Sequence, residues 1–363
     1  MLRLGGRLSD AVQWSLAGLV AEREATSWRM AAEFVMEIDE GHTIEFGSSY
    51  GNGLSGPTLP PSEDESGEAH VGDVFLRDSW ELSDRLTASV GGRYAYVGYI
   101  AHRNYVDPLV SFDWALSERS RLHAKVARRT LAPGGDQFRL AAFGSVPAIA
   151  VAALEGRVRS ERVTRYELGL SRRAGAFALQ AAAFHEQIRD QLVNTFDGPA
   201  LQRTLSISNG SSDMSYSGLG VTFSSNVGSN LVGSLTYALG VGREGQGAAD
   251  AAEGHRGPLP AEGHFQDIVA RIETMVDRSD TRVLAYYRIN RLDAPGEASS
   301  VSTRFDVQLN QGLPFINGLT RADWELLFAV KNLFYEEGEG ALLDEMAVSN
   351  PPKLLVGGIQ VRF

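Results

Sequence analysis

The chain has 363 residues, 43% hydrophobic and 22% charged, with 39 glycines and no cysteine. A mean hydropathy of -0.15 is too polar for a bundle of membrane helices. The missing cysteines exclude disulfide scaffolds, thiol catalysis and zinc–thiolate sites, and a formal charge of -11 argues against nucleic acid as a partner.

The opening residues, Met1 to Arg7, carry no apolar core of a secretory signal. From there the chain alternates. Val12, Trp14, Leu16, Gly18 and Val20 interleave with Gln13, Ser15 and Ala17. Trp28, Met30, Ala32, Phe34, Met36 and Ile38 interleave with Arg29, Glu33, Glu37 and Asp39. The same two-residue period returns at Leu86–Tyr96, Leu219–Phe223, Ile268–Val276 and Phe305–Leu309. A period of two is that of a strand with two unlike faces. A helix would spread Arg271, Glu273 and Asp277 around its circumference.

Short polar turns are predicted near Ser9-Asp10, Glu40-Gly41, Ser83-Asp84, Ser117-Glu118-Arg119, Ala174-Gly175, Gly228-Ser229 and Ser279-Asp280, with a longer one from Pro314 to Thr320. Other connections fall between them, near Glu24, Gly51–Ala69, Ile100–Val106, Leu131–Arg159, Gln191–Asp213, Gly242–Glu262, Leu292–Ser300 and Leu333–Pro352. Most of these are longer. Short turns at one end and long loops at the other describe an antiparallel transmembrane β-barrel, all-β, with the turns on the periplasmic side. The parse gives about 17 strands, the first running down to a periplasmic turn and the last ending there too. Single-chain bacterial barrels have an even number. The expectation is therefore a barrel incomplete at its N-terminus, its leader among the missing parts. The longest apolar run, Leu140–Leu154, holds Gly144, Ser145 and Pro147, and reads as a hydrophobic loop segment rather than a spanning helix.

At the C-terminus, Leu355, Ile359, Val361 and Phe363 share one face of a strand, and Gln360 and Arg362 the other. A chain that stops on such an aromatic suits a strand with lipid on one side and water on the other.

Four stretches carry a family resemblance. Val74–Thr87, running into Gly91-Gly92-Arg93-Tyr94, resembles a hairpin of the pattern F-x-x-D-x-W-x-L-x-D-x-L-x-x-x-x-G-x-R-Y. Arg129-Thr130-Leu131-Ala132-Pro133 resembles a strand end before a long loop. Glu161 with Tyr166-Glu167-Leu168-Gly169-Leu170 fits E-x-x-x-x-Y-E-L-G-L, with Phe177–Ile188 as its partner. Lys331-Asn332-Leu333-Phe334-Tyr335, Pro351-Pro352 and Phe363 resemble a closing hairpin. Together they resemble the C-terminal barrel of TonB-dependent outer-membrane receptors. The resemblance implies about 22 strands around an N-terminal plug, so residues 1–363 would be a partial barrel domain, with plug, coupling box and about five strands absent.

It also implies active uptake of a scarce nutrient across the outer membrane, the cargo being siderophore-like, cobalamin-like, a glycan or a peptide. The implied partners are outer-membrane lipid, the barrel assembly machinery, the TonB energy-coupling complex through the plug, and an unknown small-molecule or oligomeric cargo. Ile359, Val361 and Phe363 are the candidate assembly signal. The alternatives are a passive porin-like channel, an outer-membrane hydrolase and a non-functional gene fragment.

No enzyme, cofactor or metal site is expected. Gly51-Asn52-Gly53-Leu54-Ser55-Gly56 fits G-x-G-x-x-G, but Pro57, Pro60 and Pro61 leave no helix for a dinucleotide to cap. There is no G-x-S-x-G elbow. The seven histidines lack metal-ligand spacing; His255 and His264, in one predicted loop, are the pair to test. Glu33, Glu37, Arg93, Arg129, Asp267, Arg271, Glu273, Arg304 and Asp306 are expected to line a polar lumen. Trp14, Trp28, Trp80, Trp114, Trp324, Tyr94, Tyr96 and Tyr287 are candidates for aromatic girdles.

Overall fold

In the computed structural model, the described residues are 2–22, 26–39, 41–53, 69–98, 100, 102–131, 152–154, 158–197, 204–209, 213–227, 230–244, 262–277, 279–293, 299–313, 323–331, 347–349 and 354–362. There is no helix among them. The strands are β1 (Leu2–Ser9), β2 (Val12–Glu22), β3 (Thr26–Asp39), β4 (His42–Gly53), β5 (Ala69–Ser83), β6 (Leu86–Val97), β7 (Asn104–Ser117), β8 (Ser120–Leu131), β9 (Ala152–Leu154), β10 (Glu161–Ala174), β11 (Phe177–Arg189), β12 (Leu192–Asp197), β13 (Thr204–Asn209), β14 (Met214–Val227), β15 (Leu231–Glu244), β16 (Glu262–Val276), β17 (Thr281–Asp293), β18 (Ser300–Gly312), β19 (Asp323–Lys331), β20 (Ala347–Ser349) and β21 (Leu354–Arg362).

Most of them join one 17-stranded sheet, as the alternation predicts. Chain neighbours pair antiparallel from β1 through β8 and from β15 through β19, and β19 pairs with β21. β8 pairs with β10. The remaining strands, β9, β12, β13 and β20, form a 4-stranded sheet. These short strands arise inside predicted loops: β9 within 131–159, β12 and β13 within 191–213, β20 within 333–352. The end of the apolar run thus enters a strand, and β13 pairs parallel with β9.

The predicted short turns at Ser9-Asp10, Ser83-Asp84, Ser117-Glu118-Arg119, Ala174-Gly175 and Ser279-Asp280 each join two strands of the large sheet; Glu40, Gly228-Ser229 and Pro314 to Thr320 lie outside the described residues. In four of the short connections the register leaves two residues, with Ser9 opposite Val12, Asp39 opposite His42, Ser83 opposite Leu86, and Ser117 opposite Ser120. Each follows a register shift two residues upstream; such a bulge sharpens the twist of the strand entering a turn. Serine closes two of them, the Ser83 and Ser117 hydroxyls accepting from the Arg85 and Arg119 amides. Gly175 at φ +61° and Asp280 at φ +50° supply the left-handed positions of two others.

The two faces differ as the sequence implies. Leu16, Met30, Val74, Leu76, Val90, Val106, Phe112 and Leu168 are exposed, and Arg93, Asp107, Glu167 and Glu186 lie on the opposite face of their strands. In a soluble protein such a row of exposed apolar side chains would be a liability; facing lipid it is the stable arrangement.

The chain divides into two compact units, Met1–Leu168 with Phe184–Tyr216 and Glu244–Gly257, and Gly169–Ala183 with Ser217–Arg243 and Pro258–Phe363. In the first, Val71, Val97, Ile100 and Tyr105 pack together. In the second, Phe265 is almost fully buried opposite Gly240. A Cβ on Gly240 would stand 2.7 Å from the Phe265 ring and 2.3 Å from the Ser217 carbonyl oxygen. Glycine is the only residue that admits the ring there. Gly51 and Gly53 of the G-x-G-x-x-G stretch end β4 rather than open a loop, and residues 54–56 lie outside the described ones. Gly51 is tightly enclosed, its missing Cβ position lying 2.4 Å from the Trp28 carbonyl oxygen.

Candidate ligand path on the polar face

In the first unit the polar face gathers ion pairs toward the long-loop ends of β6, β7, β8, β10 and β11. Asp107 and Arg93 are direct cross-strand partners. The Asp107 carboxylate is buried and accepts from Arg93 Nη2 at 2.8 Å, Arg93 Nε at 3.2 Å, the Thr130 amide at 3.0 Å and the Thr130 hydroxyl at 2.6 Å. Arg93 Nη2 also donates to the Thr130 carbonyl at 2.9 Å. Three strands are thus knotted through one carboxylate. Sequence reasoning placed Arg93 on this face but missed Asp107 and Thr130. The signal available was an acidic residue on the polar phase of an alternating strand, just before Pro108.

A charged relay crosses β8, β10 and β11, starting near the short-turn end of β8. His123 Nε2 and Glu167 Oε1 lie 2.9 Å apart, Arg165 Nε donates to Glu167 at 2.8 Å, and Arg165 Nη1 donates to Glu186 at 2.8 Å. The Arg165 guanidinium also lies 4.7 Å from the Phe184 ring centroid. Glu161 is buried, accepts from the Leu192 amide at 2.8 Å, and interacts electrostatically with Arg129. Asp190 holds Arg162 at 2.8 Å and Arg159 at 3.4 Å, and the Asn209 side chain donates to the Asp190 and Arg159 carbonyls.

In the second unit the polar face of β16, β17 and β18 carries guanidiniums in adjacent registers. Arg288 is opposite Arg304, and Arg271 is opposite Tyr286. Like charges directly opposite repel, and each of the first two is held by its own acid. Arg288 Nε donates to Asp267 at 2.7 Å in a buried pair, and Arg304 Nη2 lies 2.8 Å from Asp306. Arg282 Nε donates to Glu273 at 2.7 Å. The predicted Asp267, Arg271, Glu273, Arg304 and Asp306 therefore share one wall.

Glu33 and Glu37 lie on the polar face of β3 and make no ion pair among the described residues. The histidines are dispersed: His42 Nε2 lies 2.6 Å from Asp78, His70 stacks on Tyr50, and His185 neighbours Tyr166. Among the described residues no group of three or more His, Cys, Asp or Glu could hold a metal. His264 is exposed on β16, and His255 lies outside the described residues. Trp14, Trp80 and Trp114 sit close to short turns, while Trp28, Tyr94 and Tyr96 sit toward the long-loop ends. Val361 is in register with Trp324 and Ile359 with Leu326; Phe363 lies outside the described residues.

Among protein families, the one described as TonB dependent receptor-like, beta-barrel matches residues 6–333. The chain belongs to this family. It is a family of outer-membrane β-barrel receptors and transporters, so the apolar outer face meets lipid and the polar face is the inner wall. No curated protein matches the sequence. Among solved structures, the chain is similar to the siderophore receptor PirA from Pseudomonas aeruginosa, with 14% identity, a TM-score of 0.47, and coverage of 99% of this chain and 60% of that one. For the FrpB iron transporter from Neisseria meningitidis the values are 14%, 0.46, 96% and 55%. For OmpT, an outer membrane protein of Vibrio cholerae, they are 12%, 0.49, 97% and 98%. The chain thus spans less than two thirds of the length of the PirA and FrpB structures.

Proposed function

We propose that the chain is the barrel part of a receptor that takes up a scarce nutrient across the outer membrane, driven by the TonB energy-coupling complex. The family match along residues 6–333 carries the reading. The inner wall supports it: held ion pairs and hydroxyl groups give a water-filled path polar contacts without a reactive centre. Cargo enters at the long-loop end and passes along the wall. Siderophore-like, cobalamin-like, glycan and peptide cargo all fit this scheme, because one barrel hosts many specificities. Ile359, Val361 and Phe363 act as the signal that the assembly machinery reads.

The test is uptake by cells expressing the protein from its own gene. Labelled ferric siderophores, cobalamin, oligosaccharides and peptides would be offered with and without a functional TonB. Accumulation of one class that disappears with TonB supports the proposal. Accumulation that persists without TonB replaces it with a passive channel, and no accumulation of any class removes the uptake reading. Deleting Phe363 should lower the amount of protein in outer-membrane fractions, whereas Gln360→Ala should not.

A further inference from the structure

Among the guanidiniums named on the wall of β16, β17 and β18, Arg271 stands apart. Arg282, Arg288 and Arg304 are held by Glu273, Asp267 and Asp306. Arg271 is exposed and makes no hydrogen bond or ion pair among the described residues. Its cross-strand neighbours on the same face are Ser234 of β15 on one side and Tyr286 of β17 on the other. Both carry a hydroxyl that can donate. The Tyr286 ring is steadied from above, with the Arg304 guanidinium 5.6 Å from its centroid. Arg288 and Arg304, in direct register, have their charge answered by the two aspartates, so what is left over in this row is the charge of Arg271.

We propose that Arg271, flanked by Ser234 and Tyr286, is a binding seat for a small carboxylate or phosphate-type oxyanion. The guanidinium offers a planar two-pronged donor that matches an oxyanion. The two flanking hydroxyls sit in register to take remaining lone pairs. The wall around the seat is already neutralised, which confines the attraction to one spot instead of smearing it along the strand. The seat rests on the reading of this face as a ligand path, and it gives the cargo a chemical class: a solute bearing at least one exposed oxyanion. An acidic side chain of another polypeptide is the competing occupant.

The experiment is calorimetric titration of the detergent-folded protein with citrate and, separately, with inorganic phosphate at low ionic strength. Arg271→Gln should weaken citrate binding at least about tenfold, the range of one charge-assisted hydrogen-bonded contact. Arg271→Lys should recover part of the loss, because it restores charge but not the fork. Arg119→Gln, in an exposed turn, should bind as the unaltered protein does. Heat-modifiable mobility on gels checks that each variant is folded. Equal citrate binding by Arg271→Gln and the unaltered protein overturns the seat. So does an equal loss in Arg119→Gln, which would make the effect one of overall charge. Binding of neither anion by the unaltered protein, with an acidic peptide bound in an Arg271-dependent way, assigns the residue to the competing occupant and also overturns it. The readout needs no energy coupling, so failed uptake and a failed seat are told apart.

Discussion

Two stretches of inner wall solve the same problem differently. On β3, β4 and β5 the polar face carries Glu33, Glu37, Glu45 and Glu81, with Arg77 reaching only Glu45 at 3.7 Å. On β16, β17 and β18 it carries Asp267, Glu273 and Asp306 against Arg271, Arg282, Arg288 and Arg304, and the pairs close at 2.7–2.8 Å. On the acidic wall Glu33 and Glu37 make no ion pair among the described residues, and Arg77 and Glu45 are only loosely paired. The arginine wall packs its charges, to the point that Arg288 is only 8% exposed. Solvation tolerates excess charge at little energetic cost, whereas burial forces each charge to find a partner. A wall of the second kind is therefore rigid, and any charge it leaves over is informative.

The sharpest way to break this contrast is to remove one partner from each wall. Asp267→Ala strands a buried guanidinium and should cost about 3–5 kcal/mol, read as a lower urea midpoint for the protein folded into lipid vesicles. Asp107→Ala tests whether the knot in the first unit behaves like the arginine wall. It removes the acceptor of the Thr130 amide and hydroxyl and of Arg93, and a loss of about 3 kcal/mol is expected in the same assay. Next comes packing without charge. Gly240→Val drives a side chain into the Phe265 ring and should cost about 1–3 kcal/mol, while Gly233→Ala, with open space around it, should stay within about 0.5 kcal/mol. The smallest effect belongs to the acidic wall: Glu33→Gln and Glu37→Gln should each shift stability by less than about 0.5 kcal/mol. A large loss there would show that these carboxylates are held after all, and the contrast would collapse.

The large sheet was legible because each strand states its own face. Alternation such as Ile268-Val269-Ala270-Arg271-Ile272-Glu273 depends only on local sequence, and turns such as Ser117-Glu118-Arg119 announce themselves chemically. That put Arg93, Asp267, Arg271, Glu273, Arg304 and Asp306 on the right face. Their partners were not legible. That Arg288 faces Arg304, and that Asp107 reaches Thr130 23 residues away, depends on cross-strand register, which loop lengths and bulges set. The small sheet was missed for a related reason: β9 and β20 have three residues each, too few to show a period, and β9 finds its parallel partner far along the chain.

The aromatic residues of β6 and β7 fix one more quantity. Trp114 is in register with Leu86, and Tyr94 lies eight residues further along the same strand. At about 3.4 Å per residue and the usual strand tilt, this separates the two rings by about 21 Å of depth. Tyr96, two residues further on the same face, carries the span to about 26 Å, which matches the apolar band of about 25 Å usual for an outer-membrane barrel. The rings therefore fix the depth of this sector: a thicker bilayer must thin around it, at an energy that rises with each ångström of mismatch.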